Sequence, residues 1–120
     1  MSAHPQGGDW QSVAAEASTL VFGPRGAIYN HPADDYFSVC EIADAIIPDE
    51  LRTEPVGAIL QMLAVKLARL RFGLEQGFPP EVLRDHFVDA CGYLDCAYGT
   101  LVREYDYAAD DLLAEVGDDE

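Results

Sequence analysis

The chain contains few basic residues. Its 120 residues include 7 Lys and Arg against 22 Asp and Glu, which gives a formal net charge of -15. A protein of this charge repels nucleic acid and anionic membrane surfaces, so we expect direct binding to neither. The same acidity suits a solvated surface, a divalent cation, a basic protein partner or mimicry of DNA.

Long apolar runs, targeting signals and paired cysteines are also lacking. No run of 18 apolar residues occurs, which predicts no transmembrane helix. The first ten residues hold neither a basic nor an apolar segment, so we expect no signal peptide. The three cysteines, Cys40, Cys91 and Cys96, have no CxxC spacing and predict reduced thiols in a cytoplasmic protein.

The apolar residues that are present follow helical spacing. They make up 49 % of the chain, enough for the core of one small domain. Their recurrence every three or four positions predicts four helices, at about 9–22, 32–47, 54–72 and 80–105. No segment shows the alternation of a strand. The fold class predicted is therefore all-α, a single-domain bundle of four main helices.

The two ends of the chain differ from this helical region. We predict a flexible N-terminus at 1–8, a helical domain at 9–105 and an acidic tail at 106–120. The tail carries seven acidic residues and no basic one. Such a composition is typical of a solubilising end and also of a segment that binds a basic partner.

The helical pattern also predicts which side chains form the core. The segment 54–72 is apolar almost all round, which is typical of a central helix. The predicted core comprises Tyr36, Cys40, Ile59, Met62, Leu63, Leu67, Phe87, Cys91, Leu94 and Tyr98. On the last helix, Gly92 and Gly99 lie seven residues apart and indicate a close approach of two helices.

Charged residues interrupt the apolar pattern on the last two helices. Asp85 and Asp89 are four residues apart, so both carboxylates lie on one helical face. Asp89 borders the apolar stripe, where an unpaired charge is costly, and Lys66 raises the same question on an otherwise apolar helix. Two interpretations stay open, an ion pair of Asp89 with Lys66 or Arg69, and a binding site for a metal or an anion.

The stretch NHPADDYF, residues 30–37, allows two interpretations as well. Pro32 suits the first turn of a helix, and Asp34 and Asp35 suit its positive dipole end. With His31, these residues are explained by the helix start alone. They also lie close in sequence to Arg25 and Tyr29, which would fit one wall of a site.

Three stretches follow one another in the chain: Arg25, Tyr29, His31, Pro32, Asp35 and Tyr36 with their spacing, then VKLARL at 65–70, then DHFVDACGYL at 85–94. Taken in this order, over about 25–98, they resemble an uncharacterised helical family of bacteriophage proteins. The last motif is in turn similar to a helix of the all-α nucleoside triphosphate pyrophosphatases, the MazG-like and dimeric dUTPase/dCTPase group. That group carries a Glu where this chain has His86.

The second resemblance implies a MazG-like, oligomeric bundle that binds a nucleotide and Mg²⁺. Asp85 and Asp89 would be its catalytic and metal-binding residues, because such enzymes hold Mg²⁺ with helical carboxylates. The two resemblances together imply that the nucleotide contacts Arg25, Tyr29, His31, Asp35, Lys66, Arg69 and Tyr93. The absence of the Glu at position 86 weighs against catalysis more than against nucleotide binding.

Three functions follow as hypotheses. The first is a phage-encoded, nucleotide-directed protein of the host cytoplasm, in its most concrete form an Mg²⁺-dependent pyrophosphohydrolase. The second is a protein that sequesters a nucleotide signal without turnover, which the incomplete acid set favours. The third is an acidic inhibitor of a basic host protein, or DNA mimic, which the net charge favours. The resemblance implies a homo-oligomer for the first.

Overall fold

A computed structural model of the chain describes residues 7–22 and 30–118, which are mainly helical. The α-helices are α1 (Gly7–Phe22), α2 (Pro32–Ile46), α3 (Pro55–Glu75) and α4 (Pro80–Asp118). A 3₁₀ turn, Asp49–Leu51, joins α2 to α3. No strand occurs within the described ranges, and the prediction of an all-α fold is confirmed. None of the described helices is both long enough and apolar enough to span a membrane.

Proline and glycine set the limits of the helices. Pro32, Pro55 and Pro80 each lie in a first turn, where the missing N–H costs nothing. His31 is the N-cap of α2, and its Nδ1 accepts a hydrogen bond from the N–H of Ala33 at 3.1 Å. After α3 the chain turns at Gly77, whose φ of 71° is a conformation that L side chains rarely adopt. The turn is short, so α4 returns antiparallel to α3.

Helix α3 packs between α2 and α4. The buried apolar residues are mostly small, and on α2 and α3 they are Val39, Ala43, Ile47, Val56, Leu63, Ala64 and Ala68. Those of α4 are Leu83, Ala90 and Ala97. Two glycines of α3 add to the close packing. A Cβ on Gly57 would collide with the backbone carbonyl of Leu51, and one on Gly73 would collide with the side chain of Leu83.

Most of the predicted core is wrong. Leu63 is buried, and Ile59 and Leu67 are half-buried. The remaining members are exposed: Tyr36, Cys40, Met62, Phe87, Cys91, Leu94 and Tyr98. The expected close approach at Gly92 and Gly99 is wrong too, because a Cβ at either position meets no atom within 4 Å.

The reason for this error is the rotation of two helices about their axes. On α2 the side chains that face inward are those of Asp35 and Val39, each one position before the predicted core residue. On α4 they are those of His86 and Ala90, again one position early. The apolar stripe of α4 is wide enough to cover two faces, and its smaller residues face α3.

The ends of the described chain also differ from expectation. Side chains 12–19 of α1 are all exposed, so this part of α1 buries none of them against the other helices. Helix α1 includes residues 7 and 8 of the segment expected to be flexible, and 1–6 lie outside the described residues. Helix α4 continues through the predicted tail to Asp118. Side chains 101–108 are exposed throughout.

Replacing Leu63 and Met62 with alanine tests the observed burial on α3. Leu63→Ala should lower the free energy of unfolding by about 2–5 kcal/mol, because the side chain is 6 % exposed. Met62→Ala should cost well under 1 kcal/mol, because that side chain is 44 % exposed. Urea unfolding followed by circular dichroism gives both values. Equal losses would show that α3 is rotated relative to this structure.

A pair of glycine substitutions tests the backbone packing. Gly57→Ala should destabilise the protein strongly, because its Cβ meets backbone atoms that cannot move aside. Gly92→Ala should raise the free energy of unfolding by about 0.5–1 kcal/mol, because the exposed helix gains a better helix former without a clash. Thermal unfolding of the two variants at one protein concentration compares them. A neutral Gly57→Ala would contradict the packing of α3 on the 3₁₀ turn.

Candidate functional site

Ionisable side chains from three helices meet between α2, α3 and α4. We call this group the polar cluster, and its members are Asp35 of α2, Lys66 and Arg69 of α3, and Asp85, His86 and Asp89 of α4. The helical spacing explains the grouping. Asp85, His86 and Asp89 lie within one turn of α4, and Lys66 and Arg69 within one turn of α3.

Lys66 and Asp89 form an ion pair across the α3–α4 interface. Nζ of Lys66 lies 3.0 Å from Oδ2 of Asp89. The Lys66 side chain is 17 % exposed and the Asp89 side chain 45 %. Lys66 is the only lysine of the chain. The cation is therefore largely removed from water, while the carboxylate that meets it remains open on one side.

Asp35 occupies the inner end of the cluster. Its side chain is buried, and burial raises the pKa of the carboxyl group above 3.8, while the charges of Arg69 and His86 act in the opposite direction. Within the described part of the chain, no hydrogen-bond donor reaches Oδ1 of Asp35. This oxygen is a buried acceptor that a protonated neighbour or a water molecule can satisfy.

His86 lies at the centre of the cluster. Its side chain is buried, and burial lowers the pKa of the imidazole below 6.5. The positive charges of Lys66 and Arg69 lower the pKa of His86 further, and Asp89 and Asp85 oppose them. The ring is consequently held in its neutral form near pH 7. An added anion beside the two cations would shift this balance towards the imidazolium.

The structure brings together some of the residues predicted for the site and separates others. Tyr93 is half-buried, one turn beyond Asp89 on α4. His31 lies at the N-terminus of α2, where Nδ1 is engaged in the cap. Asp35 belongs to the cluster, so NHPADDYF both begins a helix and supplies one wall of the candidate site. Arg25 and Tyr29 lie outside the described residues.

The predicted Mg²⁺ ligands are the two carboxylates at the open edge of the cluster. Asp85 is exposed and Asp89 partly exposed, one turn apart on the same face of α4. Among the described residues, no group of three or more His, Cys, Asp or Glu side chains is arranged to hold a metal ion. A cation at this edge would therefore share its coordination with water and ligand oxygens, as Mg²⁺ does when it accompanies a phosphate chain.

Sequence reasoning missed the position of His86. The sequence marks position 86 only as the place where the resembled enzymes carry a Glu. Its spacing carried a usable signal, because position 86 lies three residues after Leu83 and four before Ala90, both of which are buried. A polar side chain at that spacing points towards the neighbouring helix. Because Phe87 is large and hydrophobic, the predicted core face was centred on position 87 instead of 86.

Comparison with known proteins identifies no relative of this chain. No protein-family model, no curated protein and no solved structure matches it. The function of the polar cluster therefore has to be inferred from the chemistry of its own residues.

The pH dependence of unfolding tests the state of His86. Because its pKa is lowered in the folded state, the neutral ring contributes stability above pH 6.5, the ordinary value, and this stability is lost as the pH falls through the folded pKa. His86→Gln should remove this part of the loss when urea midpoints are measured from pH 8 to pH 5. An unchanged pH profile would show that His86 titrates as in the unfolded chain.

Asp35→Asn supplies a control of opposite sign. The raised pKa of Asp35 means that its contribution is present below pH 3.8, the ordinary value, and is lost as the pH rises through the folded pKa. In the wild type, ionisation of Asp35 should lower the free energy of unfolding as the pH rises. Asp35→Asn should remove this decrease. The two variants should change the slope of stability against pH in opposite directions.

Proposed function

We propose that the polar cluster binds the phosphate chain of a nucleotide, accompanied by Mg²⁺, in a protein of phage origin that acts in the host cytoplasm. One observation carries the proposal. The only lysine of the chain is held at a helix interface beside Arg69 and His86, with a half-exposed carboxylate as the partner of its ammonium group. The positive charge of Lys66 therefore lies next to Asp89, at the solvent-accessible edge of the cluster.

The residue types suit a phosphate ligand. Lys66 supplies a compact point charge, and Arg69 supplies a planar fork of N–H donors that matches phosphate oxygens. A phosphate group can replace Asp89 as the partner of Lys66, because one anion then takes the place of another. The released Asp89, with Asp85, can hold Mg²⁺, which would neutralise charge on the phosphates.

The charges of the cluster impose a condition on binding. When His86 is neutral, the cluster contains three carboxyl groups and two cations. An additional anion is therefore repelled unless positive charge binds with it. Protonation of His86 and the accompanying Mg²⁺ both supply that charge. Binding should therefore be stronger at pH 6 than at pH 8, and stronger with Mg²⁺ than without it.

Binding without turnover is the form of this function that the site favours. Asp89 is paired with Lys66, and position 86, which lies between Asp85 and Asp89 in the sequence, carries the buried imidazole of His86. These features suit a protein that sequesters a nucleotide. The pyrophosphatases that this chain resembles carry a further carboxylate, which position 86 does not provide.

Hydrolysis is the second candidate, and one observation favours it. Asp85 and Asp89 lie one turn apart at an edge that water can reach, so two carboxylates and water molecules are available there as ligands of Mg²⁺. When bound there, the metal would polarise a phosphate and orient the attacking water. The protein would then be a nucleoside triphosphate pyrophosphohydrolase.

Two arginines of α3 provide a matched test of binding. We expect a nucleotide from a panel of ribo- and deoxyribonucleoside triphosphates to bind in calorimetry with Mg²⁺ at pH 6.5. Arg69→Gln should weaken this binding about tenfold or more, because it removes a charged donor. Arg71→Gln is the control, since Arg71 pairs with Glu41 and Glu75 outside the cluster. Equal losses in both variants, or no binding by the wild type, would contradict the proposal.

Product analysis on the same samples separates the two candidates. Monophosphate and pyrophosphate formed only with Mg²⁺ would establish hydrolysis, and an intact nucleotide would establish binding alone. Asp89→Asn adds a second distinction. It should strengthen binding measured without Mg²⁺, because a competing anion is removed, and should abolish the gain that Mg²⁺ gives. An Asp89→Asn variant that only loses stability would leave the pair with Lys66 as a structural contact.

A further inference from the structure

Helix α4 has a second apolar face that does not pack on α3. Starting at Phe87, large or apolar residues recur at alternating intervals of four and three. We call this row the outer seam, and its members are Phe87, Cys91, Leu94, Tyr98, Leu101, Tyr105, Ala108 and Leu112. It spans 26 residues, and its ends lie about 37 Å apart along the helix.

All members of the outer seam are exposed to solvent. The six large side chains among them are between 49 % and 76 % exposed. Single exposed apolar residues are common on proteins, but a continuous row of this length marks a surface that another molecule covers.

The second half of α4 also extends beyond α3. Lys66 lies opposite Asp89, and two antiparallel helices rise equally per residue, so the first residue of α3, Pro55, lies near position 100 of α4. The rest of α4, up to Asp118, continues past that end. An isolated helix of this length is marginally stable in water, and its stability normally comes from an apolar face that packs on a partner.

The spacing of the seam specifies what kind of partner fits. A repeat of 3.5 residues keeps one stripe of a helix in contact with a second helix that winds around it. A flat sheet or an irregular loop would not require this period. The partner surface is therefore a helix with the same repeat, and the outer seam of another copy has it.

We propose that a second copy of this chain binds to the outer seam, so that two α4 helices pair as an antiparallel coiled coil with two-fold symmetry. Such an interface is self-complementary, since each copy presents the same row. Aligning Leu94 with Tyr98 of the second copy also pairs Phe87 with Tyr105 and Cys91 with Leu101.

The charge distribution along α4 favours one orientation. The half of α4 after residue 100 carries the exposed acids Glu104, Asp106, Asp110 and Asp111, and one base, Arg103. A parallel pair would bring both of these acidic halves side by side, where like charges repel. An antiparallel pair separates them. It places Asp111 of one copy opposite Glu81 of the other and within a turn of Arg84, whose positive charge is near both acids.

The interface is independent of the polar cluster. Asp85 and Asp89 lie on a different side of α4 from the outer seam, so a substitution in the seam leaves the cluster in place. Loss of nucleotide binding with an intact dimer, and loss of the dimer with intact nucleotide binding, are separate results that test separate proposals.

Sedimentation equilibrium of the full chain tests the dimer, which should have a mass of about twice 13.1 kDa. Leu94→Glu with Leu101→Glu should give a monomer, because two charges enter the seam of each copy. Cys96→Glu with Gly99→Glu is the matched control, since it adds the same charge at exposed positions outside the seam and should remain dimeric. A monomeric wild type at 100 μM, a dimeric seam variant, or equal dissociation of both variants would overturn the proposal.

Disulfide formation tests the orientation. In a Cys40→Ser, Cys96→Ser background, the remaining Cys91 should form no disulfide dimer on mild oxidation. The aligned antiparallel pair keeps the two Cys91 residues about 15 Å apart along the helices, beyond the reach of a disulfide. Adding Leu101→Cys should allow a disulfide between Cys91 of one copy and the new cysteine at position 101 of the other. Efficient cross-linking through Cys91 alone would show a parallel pair and overturn the antiparallel assignment.

Discussion

The close packing of α3 between its two neighbours depends on small side chains. Ala64 and Ala68 are almost completely buried on α3, opposite Ala43 of α2, and Ala90 and Ala97 are buried on α4. Small residues let the helix backbones approach closely, yet each of them buries little apolar area. Buried apolar area stabilises a fold by about 25 cal/mol per Å², so each small residue contributes little. No large side chain of the described chain is fully buried. Much of the large apolar surface therefore lies outside the core, and the outer seam of α4 carries part of it.

The same interfaces contain the polar cluster, and burying its ionisable groups lowers the stability of the fold further. Burying Asp35 and His86 removes their hydration, and the pKa of each group moves in the direction that favours its neutral form. Buried ion pairs are often no more stable than apolar residues of the same volume. Stability alone thus gives a poor account of why acids, bases and an imidazole meet at this junction. The proposed ligand, by exchanging with Asp89 and reaching Lys66, would offset this cost with its binding energy.

The number and type of the helices were predictable from the sequence because periodicity and proline positions act locally. The pairing of Lys66 with Asp89 was also accessible, since both charges stand out in apolar surroundings. The rotation of α2 and α4 was not. Hydrophobicity ranks Phe87 above His86 as a core residue, whereas the close approach of α3 admits only the smaller face. The length of α4 was missed for a related reason, because acidic composition suggested a tail where a helix forms.

A small core and a long exposed seam together predict how the parts of the protein depend on one another. A folded monomer with a small core gains further stability from any partner that binds only the folded state, and for a second copy of the chain that gain increases with protein concentration. Substitutions in the outer seam act on this term, so their effect on unfolding should vary with concentration. Substitutions of Lys66 or Asp89 act within one chain and should not. The concentration dependence of unfolding therefore distinguishes the outer seam from the polar cluster, and this measurement does not require the ligand to be known.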